Sequence, residues 1–96
     1  MMSDLQAITT CRIGAPVTEK VATDNLKHLV KIPVTLISAI QTKEFLFYIQ
    51  ASKTDNTWEL HRPTLEKIRV QIMDEGFEPE DFNFELFKCR VKNFLN

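Results

Sequence analysis

Ninety-six residues, 44% hydrophobic and 26% charged with only two glycines, make one globular domain near the small end of what folds without staples. A formal net charge of −1 argues against a general nucleic-acid binder, whose domain is usually strongly basic. Cys11 and Cys89 are too few for a disulfide framework and too far apart for a CxxC site, so a reducing, cytoplasmic setting is expected.

Met1-Met2-Ser3-Asp4 has no basic region leading into an apolar run, so no signal peptide is read. No apolar stretch approaches the roughly 18 residues that suggest a membrane span. Residues 1–24 read as an irregular N-terminal arm, because Thr9-Thr10, Gly14 and Pro16 interrupt any period. A short strand around residues 7–13 is conceivable, and the arm could order on a partner, but a frayed terminus is the simpler reading. The domain proper is expected over 25–96.

Alternation returns after Asn25, with Val30, Ile32, Val34 and Leu36 on one side and Lys31, Pro33 and Thr35 on the other. This predicts a strand over about 28–38. Pro33 places it at a sheet edge or beside a bulge, because a central strand needs the donor proline lacks. Such an edge could also support a homo-oligomer. A helix starting at Pro33 ranks second, since Val, Ile and Thr dominate the segment.

Phe45-Leu46-Phe47-Tyr48-Ile49 is rich in aromatic and branched residues, and Thr57-Trp58-Glu59-Leu60-His61-Arg62 alternates with period two. Asp55-Asn56 tolerate positive φ and suit the centre of a tight turn. A hairpin over 44–52 and 57–62 then sets Lys53 opposite Trp58, Ala51 opposite Leu60 and Ile49 opposite Arg62. Phe47, Ile49, Ala51, Trp58 and Leu60 share one face. Tyr48, Gln50, Ser52, Glu59 and His61 share the other. A slip of one residue would mix the two sets.

Pro63 ends the strand and opens a helix over 64–75, with Leu65, Ile68, Ile72 and Met73 as its apolar stripe. Gly76 is expected at C′ with positive φ, and Phe77 folds back on Ile72. From 74 to 85 the chain carries Asp74, Glu75, Glu78, Glu80, Asp81 and Glu85 with no base, and Lys88, Arg90 and Lys92 follow. Early acids and late bases suit a helix dipole, so a second helix over 80–94 is preferred, with Phe84, Phe87, Val91 and Phe94 on one side. A bulged strand is the alternative. The expected fold is α+β: a three-stranded antiparallel meander packed by a helix and a C-terminal element.

Neither glycine belongs to a phosphate loop. His28, His61, Cys11 and Cys89 have no metal-ligand spacing, so no metal or other cofactor is expected. Cys89 lies among Lys88, Arg90 and Lys92, bases that could lower its pKa, and a Cys–His pair with His61 would need proximity in space. Two surfaces are candidates for a protein partner. One is the outer hairpin face with Tyr48 and His61. The other is the acidic segment with Glu78, Glu80, Asp81 and Phe82, which would pair carboxylate steering of a basic surface with an aromatic anchor. The expected function is therefore that of a small non-catalytic binding or regulatory protein: an adaptor, an inhibitor or an immunity-type protein. A small thiol- or histidine-dependent enzyme is a further class.

Residues 45–72, with Trp58, Leu60, Arg62 and Ile68, resemble the first half of a phox-homology domain: strands, an aromatic hairpin ending in arginine, then a helix. The resemblance implies a phosphoinositide-binding module with Arg62 on the headgroup and Lys53 assisting. Pro63-Thr64 stands where that family usually carries a second base and an aromatic, and its long proline-rich loop is reduced here to the acidic Glu78-Pro79-Glu80.

Overall fold

The computed structural model describes residues 5–21 and 24–96, with side chains for 5–18 and 28–96. Its spine is a long antiparallel hairpin of β3 (Asp24–Ile37) and β4 (Thr42–Thr54). Ser38 ties the turn between them. Its N–H donates to the Gln41 carbonyl at 2.8 Å, and its hydroxyl accepts from the N–H groups of Ile40 and Gln41 at 3.2 and 3.1 Å. Val30, Ile32, Val34 and Leu36 alternate with Phe47, Ile49 and Ala51 on one face, and all are buried.

β4 turns into β5 (Thr57–Leu60) through Asp55 and Asn56, both with positive φ (50° and 64°), the geometry of the two-residue turn that matches strand twist. Ala51 faces Leu60 and Lys53 faces Trp58, as the alternation requires. The third expected pair, Ile49 with Arg62, does not form. β5 stops at Leu60 because Arg62 already begins α1 (Arg62–Asp74), two residues earlier than the expected 64. Pro63 sits in its first turn, and the Thr64 hydroxyl donates to the His61 carbonyl at 2.7 Å.

α1 ends where glycine permits it. Gly76 has φ +88°, its N–H donates to the Met73 carbonyl at 3.0 Å, and the Phe77 N–H donates to the Ile72 carbonyl at 3.2 Å. This is the left-handed cap that folds Phe77 against Ile72. Ile68 and Ile72 are buried, Leu65 is half-buried, and Met73 is exposed although the apolar stripe included it.

The C-terminal element is a helix, and the bulged strand is excluded. It starts later than residue 80. Pro79 opens a separate 3-10 turn (Pro79–Asp81), capped by the Glu78 carboxylate on the Glu80 N–H at 3.2 Å. The chain extends again at Phe82. Asn83 then caps α2 (Phe84–Leu95), accepting from the Leu86 N–H at 3.0 Å. Phe87 and Val91 of α2 are buried, and Phe94 is exposed.

The segment read as an irregular arm carries two strands, β1 (Thr10–Ile13) and β2 (Val17–Val21), both antiparallel to β3. Among the described residues the sheet thus has five strands, and β3 is central. Pro33 is tolerated there because of a bulge. Ile13 faces Val34 and Val17 faces Lys31, so Gly14, Ala15 and Pro16 stand opposite only Ile32 and Pro33. The donor that Pro33 lacks would have pointed into this interruption, and its carbonyl still accepts from the Gly14 N–H at 2.7 Å. A Cβ on Gly14 would lie 2.7 Å from Pro33 Cγ and 3.2 Å from its oxygen. Gly14→Ala should therefore destabilise the fold by about 1–3 kcal/mol through overpacking. An unchanged urea midpoint would mean that the bulge relaxes freely.

Gln6 stitches the arm to the cap of α1. Its N–H donates to the Gly76 carbonyl at 2.7 Å, and its own carbonyl accepts from the Glu78 N–H at 2.8 Å. Both helices cover the same sheet face. No helix among the described residues is long and apolar enough to cross a membrane.

Candidate functional site

Because α1 and α2 pack on one side only, the other face of the hairpin is uncovered. Leu46 and Tyr48 point outward from β4 and are 49% and 44% exposed. Lys31, paired with Tyr48 across the hairpin, places its ammonium 6.0 Å from the ring centroid. Val17 and Pro33 are also exposed on this face.

The edge of β4 is open along the same stretch. The Gln50 carbonyl accepts from the His61 N–H at 2.7 Å, and the Gln50 N–H donates to the Thr64 hydroxyl at 3.3 Å, so the main chain of Gln50 faces away from β3. In an antiparallel strand every second residue faces the same way, so Tyr48, Leu46 and Glu44 do too. β5 reaches only the 51–54 end of β4. No hydrogen bond among the described residues satisfies the main-chain groups of Glu44, Leu46 and Tyr48 that face this edge.

On the inner side of this edge runs α1. Lys43, Phe45, Gln71, Asp74 and Glu75 line an open groove of about 230 Å3 between strand and helix. Lys43 pairs with Glu75 at 3.4 Å, and Gln41 Nε2 donates to the Glu75 carbonyl at 2.9 Å. Asp74 and Glu75 thus share the groove with a single ammonium, while Glu44 lies on the outer side of the strand with Leu46 and Tyr48. The local balance is negative.

The acidic segment is placed differently from what its composition suggested. Phe82 is only 4% exposed, with its ring 4.7 Å from Phe84, 5.4 Å from Phe87 and 6.3 Å from Phe47. It belongs to the core, so the expected aromatic anchor is absent from the surface. Its neighbours have internal tasks. Glu78 caps the 3-10 turn, Glu80 pairs with Arg69, and Asp81 Oδ2 accepts from the Ile8 N–H at 3.1 Å. His61 is exposed at the N-cap of α1, beside the Gln50 end of the open edge.

The second cleft, about 280 Å3, lies between α1 and α2 and is lined by Arg62, Leu65, Glu66, Arg69, Phe84 and Lys88. Glu80 takes Arg69, and Lys88 pairs with Glu85 at 2.8 Å, a bond that holds the Glu85 carboxyl below its ordinary pKa. Arg62 is the cation of this cleft with no ion pair among the described residues. Lys53 is elsewhere, 5.9 Å from the Trp58 ring centroid beside the β4–β5 turn, so the two bases named for a headgroup do not share a cleft.

Cys89 is exposed beside Glu85, Lys88, Lys92, Asn93 and Asn96, with no histidine among these lining residues. At Cys11, desolvation pushes the thiol pKa up and the Arg90 charge pulls it back only in part. No group of three or more His, Cys, Asp or Glu with metal-binding geometry occurs among the described residues. No family model, no curated protein and no solved structure matches this chain. The phox-homology resemblance accordingly rests on the residue pattern of 45–72 alone.

The sequence reading named Tyr48 and His61 but missed Leu46 and the open edge. Leu46 was legible, since period two sets it on the Tyr48 side of the strand. The open edge was not, because it depends on how far β5 extends.

Proposed function

We propose that this chain is a small, non-catalytic, cytosolic binding module that acts by protein–protein association, as an adaptor, an inhibitor or an immunity-type protein. The observation that carries the reading is the pairing of outward Leu46 and Tyr48 with an unsatisfied stretch of strand edge. Exposed apolar side chains beside free main-chain donors and acceptors are costly to leave uncovered and useful to a partner. The docking residues are Tyr48, Leu46 and His61; Glu78, Glu80 and Asp81 are held by internal partners, and Phe82 is withdrawn to the core.

The test is capture from the source extract on the immobilised protein, in parallel with a Leu46→Lys/Tyr48→Asp variant. Both side chains are exposed, so the variant should keep its fold. A partner held by the wild type and lost by the variant is the expected outcome. Equal retention by both would remove the site.

A second reading, recognition of an anionic headgroup, draws on the cleft with Arg62, Arg69 and Lys88. It ranks lower because Glu80 takes Arg69 and Glu85 takes Lys88, which leaves Arg62 as the one base of the cleft without an ion pair among the described residues. Phosphoinositide vesicles at physiological salt should not retain the protein. Saturable binding abolished by Arg62→Ala would promote this reading over the first.

A further inference from the structure

We propose that the groove between the open edge of β4 and α1 accepts an extended segment of the partner by strand addition, and that this segment carries a basic side chain. The inference rests on the protein-binding reading and specifies its mode. Three features of the groove lead to it.

The first is the main chain. Glu44, Leu46 and Tyr48 each direct one N–H and one C=O off the sheet, in unbroken register with β3 behind them. The stretch holds no proline and no bulge, and its charged residues, Lys43 and Glu44, stand only at one end, leaving Phe45-Leu46-Phe47-Tyr48 without a charge. A strand laid along it would satisfy every one of these groups, and main-chain bonds of this kind provide affinity without demanding a particular side chain.

The second is what alternate side chains of that strand would meet. On the outer face they would lie beside Leu46 and Tyr48. On the inner face they would drop into the groove over half-buried Phe45, between the strand and the Gln71–Asp74 flank of α1. Both sides of an incoming strand therefore find apolar surface.

The third is charge. Asp74 and Glu75 line the groove, and Lys43, its one base, is already engaged by Glu75, which leaves the Asp74 carboxylate in excess. A lysine or arginine on the incoming strand would meet the excess carboxylate. The same argument disfavours a second copy of this chain, since pairing the edge with itself would bring two such carboxylates to one seam.

The test begins with a random peptide library displayed against the intact protein, and the strongest binder is synthesised as the probe. It should contain lysine or arginine and shift the backbone amide resonances of Glu44, Leu46 and Tyr48. Leu46→Pro removes an N–H that bonds nothing among the described residues, so the fold should survive while probe affinity falls at least about tenfold. Asp74→Lys should weaken the probe to a similar degree, and the wild-type affinity should decline with salt. N-methylation of alternate probe amides leaves the protein untouched, and in one of the two registers it should abolish binding. A probe indifferent to both N-methylation registers overturns strand addition, as does failure to select any peptide. Self-association abolished by Leu46→Pro overturns the choice of occupant. A partner that is lost with Tyr48→Asp but unaffected by Leu46→Pro and Asp74→Lys leaves protein binding standing and removes this mode of it.

Discussion

Phe47→Ala should lower the stability of the fold by about 3–5 kcal/mol, the range for truncating a buried phenylalanine. Phe47 is fully buried at the middle of β4, opposite Ile32. Its ring centroid is 5.1 Å from Phe45, 6.3 Å from Phe82 and 6.2 Å from Phe87, so one side chain joins the sheet to the 82–84 corner and to α2. The cavity left by alanine is walled by three different elements, which limits how far it can collapse. A domain of this size is stable by only about 5–15 kcal/mol, so the variant should unfold at much lower urea with a similar slope. Tyr48→Ala, one residue along on the open face, should change stability by no more than about 0.5 kcal/mol. Comparable losses at both positions would mean that the helices do not cover one face alone.

The next largest effect is expected at Ile72, where alanine should cost about 2–5 kcal/mol. Ile72 is fully buried, and its carbonyl receives the Phe77 N–H at 3.2 Å. The side chain packs α1 on the sheet, while the backbone beside it sets the turn that buries Phe77. The substitution removes the packing and leaves the left-handed Gly76 cap in place. Equal unfolding midpoints for wild type and Ile72→Ala would remove the helix-on-sheet packing.

Local chemistry explains which parts were legible in the sequence. The β4–β5 register could be read because two residues tolerant of positive φ sit between strands whose apolar positions agree in only one alignment. The end of α1 could be read because Gly76 and Phe77 stand at the spacing of a left-handed cap. β1 was visible only as a possible short strand over 7–13, and β2 was not visible at all. They mix polar and apolar residues around Gly14 and Pro16, and they are strands because β3 offers them a ladder. Pro33 argued for an edge or a bulge, and the bulge is what occurs, although which strand carries the extra residue is not displayed by the pattern of β3 alone. The late start of α2 has a similar cause: Pro79 signals a helix start, and the capped 3-10 turn uses that signal up before Asn83 gives another.

The candidate site was half legible for the same reason. Tyr48 and Leu46 follow from alternation along their own strand. The groove beside them depends on α1 lying next to β4, and the open edge depends on β5 ending at Leu60. Phe82 was misplaced because its acidic neighbours suggested an exposed segment. Those acids are instead spent on the Glu80 N–H, Arg69 and the Ile8 N–H, and this holds the Phe82 corner against the core.

Amide hydrogen exchange along β4 tests the central claim most directly, because the open edge predicts a two-residue rhythm within one strand. Phe45, Phe47 and Ile49 direct their N–H groups toward β3 and should exchange slowly, whereas Glu44, Leu46 and Tyr48 direct theirs off the sheet and should exchange rapidly. Uniform slow exchange from Glu44 to Ile49 in the isolated protein would contradict the account, since it would mean that something already covers the edge on which the proposed binding depends.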